Sequence, residues 1–311
     1  MGSSILTITF NPAVDKSSTV DKIIPEQKLR CTTPVYEPGG GGVNISRALK
    51  RLGVDAETVF LSGGRTGALL EELLTQEKLT INAFAVKGET RENFIVVDTS
   101  NQQQYRFGMD GEAVSEEEQT SFFKFLQNIE TIPNIAVISG SLPPNVAPNY
   151  LKKIIANFKE KGSKVIVDTS GEALQAAAEE SVFLLKPNIG ELAALTGKQE
   201  LDTQSAQAAA YELIKAKKAE VVVVSLGAKG AFLCSEKEFI WLQAPVIKVR
   251  STVGAGDSMV AGMASVLLKN GTYKEMLQMG IACGSATTMA AGTGLFKKED
   301  VDFLNHLISN Q

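Results

Sequence analysis

Two spacings of apolar residues alternate along the 311-residue chain. Short β-rich runs, "ILTITF" (5–10), "NIAVISG", "KVIVDTSG", "SVFLLKPN" and "EVVVVSLG", predict strands. "AETVFLSGG" predicts another that runs into a glycine loop. Between them stand amphipathic helical patterns: "VNISRALKRLG" (43–53), closed by Gly53 as a C-cap, then "TGALLEELLTQEK", "NYLKKIIANFKEKG", "EALQAAAEE" and "TQSAQAAAYELIKAKK". Strands that are apolar throughout, separated by such helices, predict an α/β fold whose mostly parallel sheet is covered on both faces. The region of about 256–310 reads as helical, and no internal repeat or low-complexity tract is present.

Two segments leave this rhythm. Residues 11–38 are polar and β-prone without helical periodicity, and 90–108, "TRENFIVVDTSNQQQYRFG", alternate like a hairpin around "TSNQQ". Together, over about 11–38 and 88–110, they predict a small sheet attached to one main domain spanning 1–311. Open parallel sheets bind ligands beyond the carboxyl ends of their strands. The glycine-rich and polar stretches stand at those ends: "GG" (63–64), "SGSLPP", "DTSG", "KPN" and "SLGAKG".

Composition narrows the class. Apolar residues make up 44% and charged residues 21%, as in ordinary globular proteins. A net charge of −4 argues against a general nucleic-acid binder. The cysteines, Cys31, Cys234 and Cys283, are far apart and form no C-x-x-C, which points away from zinc and disulfides and toward a reducing cytoplasm. No signal-peptide pattern opens the chain, Leu6 stands where a myristoylation motif needs Ser or Thr, and no apolar run approaches ~18 residues. The single histidine, His306, lies in the last helical stretch and reads as a surface residue, so histidine-based triads are not expected.

The candidate chemistry lies in loops. Neither G-x-x-x-x-G-K-[ST] nor a G-x-G-x-x-G after a strand is present. "PGGGGVN" (38–44) instead sets four consecutive glycines before a helix, where backbone N–H groups can approach an anion or a sugar. In "STVGAGDSM" (251–259), Gly254, Ala255 and Gly256 precede Asp257 at the mouth of a helix. Such amides can stabilise charge on a transferred phosphoryl group, and the carboxylate can take a proton from an attacking hydroxyl. An aspartate in a first helical turn is also simply a favourable residue there. "KPNIGEL" (186–192) spaces Asn188 and Glu191 as a capping box, or leaves Glu191 to help hold Mg²⁺ through water. Arg91 and Arg106 in the hairpin, with Lys28 and Arg30 before it, read as solubilising residues or, with Asp15, as a sugar-phosphate site.

From end to end the chain resembles the ribokinase-like, or PfkB, carbohydrate kinases. "GGGGVNISRALKRLG" is similar to their N-terminal signature and "STVGAGDSMVAGM" to the C-terminal one, D-T-x-G-A-G-D, with Ser251 in place of the first Asp. With "EQKLRCTTPVYEPGGGGVN", "VISGSLPPNV", "VDTSGEAL" and "VVVSLGAKGA", the chain looks nearest to the minor, non-P-loop 6-phosphofructokinase subgroup. The resemblance implies a ribokinase-like three-layer sandwich and ATP-dependent phosphorylation of fructose 6-phosphate at its 1-hydroxyl. Tagatose-6-phosphate kinase and 1-phosphofructokinase are the competing activities, and a non-catalytic sugar-phosphate-binding regulator is the alternative from another class. It implies Asp257 as general base, with the amides of Gly254–Asp257 as an anion hole. Asp15, Gly40, Gly41, Asn44, Arg91, Arg106 and Ser139 match sugar-phosphate contacts. Lys28, Lys186, Asn188, Ser225, Gly227, Gly230 and Ser285 match the ATP side, and Glu191 the Mg²⁺ motif. Ser251, Val253, Thr287, Ala290, Gly292 and Gly294 match a K⁺ loop made largely of backbone carbonyls, although Gly294 departs from a bulky basic residue of the pattern. The small sheet becomes a lid through which two copies form a homodimer.

Overall fold

The structure is a computed structural model and describes residues 4–290 and 292–310. Met1 and Gly2, which bear on the myristoylation reading, lie outside them. In chain order the elements are β1 (Ile5–Thr9), β2 (Ala13–Val20), β3 (Val35–Gly39), α1 (Gly41–Arg51), β4 (Ala56–Ser62), α2 (Gly64–Gln76), β5 (Thr80–Ala85), β6 (Arg91–Asp98), β7 (Gln103–Phe107) and α3 (Glu116–Gln127). They continue with β8 (Ile135–Ser139), α4 (Pro148–Glu160), β9 (Lys164–Asp168), α5 (Gly171–Glu179), β10 (Val182–Leu185), α6 (Ile189–Leu195), α7 (Thr203–Lys215) and β11 (Ala219–Ser225). The chain closes with β12 (Ala231–Ser235), β13 (Phe239–Leu242), α8 (Ala255–Leu268), α9 (Tyr273–Met289) and α10 (Lys298–Ser309).

The large sheet runs β13-β12-β11-β10-β9-β8-β1-β4-β5. It is parallel from β5 to β11, and β12 and β13 join antiparallel at one edge. The alternation of each strand splits its apolar residues between two cores. Leu6, Ile8, Val222 and Val224 pack with Phe122, Phe158 and Leu213 on the α3, α4 and α7 side. Ile5, Val221 and Val223 pack with Ile45, Val260, Leu277 and Leu304 under α1, α8, α9 and α10. Burial of a Leu or Phe side chain on either face contributes roughly 1.5–3 kcal/mol, which makes both helical layers obligatory. Capping boxes start α3 at Ser115, α7 at Asp202 and α9 at Thr272, so these helix positions follow from short-range chemistry.

The irregular segments form the second sheet, ordered β3-β2-β6-β7. β2 pairs antiparallel with β3 and parallel with β6, and β6 forms the expected hairpin with β7. Val14 in this sheet packs with Val43, Phe60, Leu70 and Leu74, which fixes it over α1 and α2. Tertiary context also produces β5 and the antiparallel pair β12–β13, and neither these nor α3 were singled out by the apolar spacing.

Candidate active site

The glycine run joins the small sheet to the main body. Gly40 is the N-cap of α1 with φ 107°, a left-side conformation that favours glycine. The next residue, Gly41, lies so close to the hydroxyl of Ser139 at the end of β8 that a Cβ there would overlap it. The turn can therefore thread past β8 only without side chains. Neither α1 nor α8 has a side chain capping its first turn. Both helices thus present bare N–H groups, with the positive ends of their dipoles, at the same edge of the sheet.

At α8 the N-cap is Gly254 in the left-handed region, φ 73° and ψ 1°, and a Cβ there would press on Leu295 at 2.9 Å. This kink places Asp257 in the first turn. Among the described residues the Gly256 and Asp257 amides have no backbone acceptor. Nδ2 of Asn44 donates to Oδ2 of Asp257 at 2.9 Å. Burial, reinforced by the Asp168 carboxylate, pushes the Asp257 carboxyl up to about 7, and the Asn44 bond and the Lys186 ammonium oppose that rise. The group is poised to exchange a proton near neutrality.

Lys186 is buried and pairs with Asp168 at 3.2 Å. Burial alone would lower its pKa, but Asp168, Asp257 and Glu191 outweigh it and hold the ammonium above its ordinary value. A Cβ on Gly256 would stand 3.4 Å from Lys186 Nζ, so the cation lies directly beneath the α8 turn. Asn188 and Glu191 do form the capping box, Oε2 of Glu191 accepting from the Asn188 amide at 2.8 Å and Asn188 Oδ1 from the Glu191 amide at 2.9 Å. The second carboxylate oxygen of Glu191 remains for another role.

The α8 turn separates two clefts. One, of about 560 Å³, is lined by Asp15, Gly40, Gly41, Asn44, Arg91, Arg106, Gly254 and Asp257. Asn93 and Ile95 of β6 also line it. Asn93 donates to Asp15 at 2.8 Å. Burial raises the Asp15 carboxyl, and the Asn93 bond with the Arg91 and Arg106 charges works against that. Arg91 is held rather than free: its guanidinium donates to the backbone carbonyls of Asn11, at 3.1 and 3.2 Å, and Met109, at 2.9 Å. The second cleft, of about 440 Å³, is lined by Ser225, Gly227, Gly230, Ser285, Ala255 and Gly256 with the apolar Val246, Ile247, Met259 and Ile281. An apolar slot ending in helix amides suits a flat heterocycle carrying an anionic tail.

The structure brings many of the expected residues to the two clefts flanking Asp257; Ser139, Lys186, Asn188 and Glu191 stand beside the clefts rather than in their lining, and Lys28 stands apart. Lys28 stands exposed in the connection between β2 and β3 and lines neither cleft, because the antiparallel β2–β3 pairing sets that loop at the outer end of the small sheet. The residues expected for a K⁺ loop lie near one another only in part. The amides of Arg250 and Ser251 donate to the Thr288 carbonyl, which brings Ser251 beside the end of α9. The Thr287 hydroxyl turns away and donates to Ser258 at 2.7 Å, leaving only its carbonyl for the loop. Among the described residues no three His, Cys, Asp or Glu side chains cluster as a metal site. A divalent ion held chiefly by phosphate oxygens and water, with Asp168 and Glu191 nearby, fits this donor set. Asp168 and Asn93 escaped the sequence reading. Asp168 stood at a strand's carboxyl end, where open sheets bind ligands, whereas Asn93 carried no signal.

Comparison with known proteins gives this geometry a context. The model of the pfkB family carbohydrate kinases matches residues 4–300. The ATP-dependent 6-phosphofructokinase isozyme 2 of Escherichia coli (strain K12) is 42% identical over 95% of this chain and 96% of that protein. A tagatose-6-phosphate kinase of Staphylococcus epidermidis is 33% identical over 96% of both. The crystal structure of the E. coli phosphofructokinase-2 in complex with fructose-6-phosphate superposes with a TM-score of 0.93 at 39% identity, covering 99% of both chains. The same protein in complex with potassium superposes at 0.95 and 40% identity, again over 99% of both.

Proposed function

The chain belongs to the pfkB family of carbohydrate kinases and is a phosphotransferase acting on a sugar hydroxyl; from that premise we propose that it transfers the γ-phosphoryl group of ATP to the 1-hydroxyl of fructose 6-phosphate. One observation carries the reading: the two clefts meet at a single helix N-terminus, with a proton-accepting carboxylate on one side and unclaimed amides on the other.

The phosphosugar lies in the cleft of Asp15 and Asn44, its phosphate toward Arg91 and Arg106. Asp257 takes the proton of the acceptor hydroxyl as that oxygen bonds to the γ-phosphorus and the bond to the bridging oxygen of ADP breaks. The amides of Gly256 and Asp257, with Lys186 beneath them, hold the negative charge of the phosphoryl group in transit. Adenine occupies the apolar cleft beside Gly227 and Ser285. Mg²⁺ would neutralise charge on the nucleotide phosphates, and Glu191 and Asp168 would hold it through water. K⁺ would be held by the loop of Ser251, Val253, Thr287, Ala290, Gly292 and Gly294, chiefly through backbone carbonyls.

The small sheet acts as a lid, and two copies meet through it. Val35 and Phe107 on that sheet and Met109 just after it are each at least half exposed, and Phe94 stacks on Phe107 at 6.3 Å. Val96 is already buried within the chain, and Val35, paired with Ser17, lies on the opposite face of the sheet from Phe107, paired with Phe94, so the contact falls on Phe107 with Met109 rather than on all three. A self-complementary contact of this kind gives a two-fold dimer. A cytoplasmic location agrees with the free thiols of Cys31, Cys234 and Cys283, and no helix among the described residues is long and apolar enough to cross a membrane.

ADP release measured with fructose 6-phosphate, tagatose 6-phosphate and fructose 1-phosphate tests the reading. The highest kcat/KM should fall on fructose 6-phosphate. A preference for either other sugar would reassign the substrate, and no release with any of them would leave a binding protein.

A further inference from the structure

Arg47 has no part in the reaction described above, yet it is the most deeply buried arginine near the site, its side chain 2% exposed. A guanidinium at that depth is strongly unfavourable unless fully partnered, so its contacts define what it does. Nε donates to both oxygens of Glu77, at 2.9 and 3.0 Å, and Nη2 lies 2.7 Å from Glu77 and 4.0 Å from Glu37. Nη1 donates to the Pro38 carbonyl at 2.9 Å and faces Oδ1 of Asn44, one helical turn earlier on α1, at 3.4 Å.

An asparagine amide carries an acceptor on one side and a donor on the other, and its two orientations fill the same volume. Neighbours decide between them. Asn44 stands between a cation and a carboxylate: its oxygen faces Arg47 and its nitrogen donates to Asp257 at 2.9 Å. The reversed amide would set NH₂ against the guanidinium and oxygen against the carboxylate, unfavourable at both ends. The guanidinium offers donors only and no acceptor, so it can favour only the amide's oxygen.

We propose that Arg47 is a positioning residue of the phosphotransfer reaction, which fixes the Asn44 amide as a donor to Asp257 and thereby holds the carboxylate toward the acceptor hydroxyl. The proposal rests on the reading of Asp257 as proton acceptor. Through Pro38 and Glu77 the same cation ties β3 and the end of α2 to α1, and Glu37 accepts a further bond from Thr293 in the loop after α9. The charged groups facing Asp257 are Asp15, Asp168 and Lys186, and those around Arg47 are Glu37, Glu77 and Arg51; all of them are kept in the test.

The test is a double-mutant cycle of Arg47→Met and Asn44→Ala, read as kcat against pH at saturating ATP and fructose 6-phosphate. Arg47→Met should lower kcat about tenfold, part of the ~10²-fold that a 1 Å misplacement can cost. It should also move the acid limb to higher pH, because Asp257 loses a bond that favours its ionised form, and it should leave the KM for ATP unchanged. In the Asn44→Ala background both effects should vanish, since the arginine acts through that amide. An equal loss with or without Asn44, or a lower Tm with an unmoved pH profile, would make Arg47 a structural brace and overturn the proposal. Should Arg47→Met fail to fold, Arg47→Lys keeps the charge but loses the fork, and the same two outcomes decide. Asp257→Asn is assayed in parallel: full turnover there sinks the base reading and the proposal with it, whereas an inactive Asp257→Asn beside an additive cycle sinks the role of Arg47 alone.

Discussion

Asp257→Asn separates the chemical role of this carboxylate from its cost to the fold. The substitution conserves shape, and the new amide oxygen still accepts from Asn44. Wild-type Asp257 has its pKa moved from an ordinary 3.8 to about 7, burial being the first cause and Asp168 the second. A carboxyl raised in this way binds its proton more tightly folded than unfolded. The stability it contributes is therefore lost as pH rises from about 4 to about 7, at up to ~1.4 kcal/mol per pH unit. Asparagine carries no such penalty. Relative to wild type, the variant should gain up to about 2 kcal/mol between pH 5.5 and pH 8, as read from urea midpoints. Turnover should move the other way, with kcat falling about 10²–10⁴-fold as expected for a lost general base, and with the KM values near those of wild type. In wild type, kcat/KM should fall tenfold per unit below about pH 7. A variant that turned over normally would refute the base assignment. One that was inactive but showed the same pH dependence of stability as wild type would refute the buried, proton-retaining environment.

Other perturbations probe the surroundings. Arg91→Ala should raise the KM for the phosphosugar by the equivalent of roughly 1.5–3 kcal/mol and leave that for ATP nearly unchanged; a raised ATP KM with an unchanged sugar KM would put Arg91 on the wrong side of the cleft. Because Arg91 also holds the Asn11 and Met109 carbonyls, a modest fall in Tm should accompany the kinetic change. Light scattering on a dilution series, with activity read on the same samples, should show dimer dissociation and loss of phosphosugar affinity together, and a fully active monomer would rule out the lid contact. Trp241, the sole tryptophan, donates its indole N–H to the Lys229 carbonyl in the turn that borders the nucleotide cleft. ADP binding should change its fluorescence, and an unmoved emission from calorimetrically saturated protein would place the nucleotide elsewhere.

The sequence by itself determined the layered α/β architecture, because covering both faces of a parallel sheet demands strands that are apolar throughout and helices with one apolar face. "ILTITF" and "EVVVVSLG" could serve in no half-exposed sheet. It also marked Gly40, Gly41, Gly254 and Asp257 as candidate site residues, since glycine runs against helix starts restrict what the backbone can do there. The edge pair β12–β13 and the strand β5 were not legible, because their pairing depends on neighbours far away in the chain rather than on local period. Only the tertiary structure brought Asn44 onto Asp257 across 213 residues, set Asp168 against Lys186, and turned the Thr287 hydroxyl away from its loop. It alone left Lys28 outside both clefts of the single chain. Such contacts arise where separate strands end at one edge of the sheet, and their distances are fixed by how the intervening core packs. A linear pattern therefore names the chemical groups, while the fold decides which of them meet and what charge each one feels.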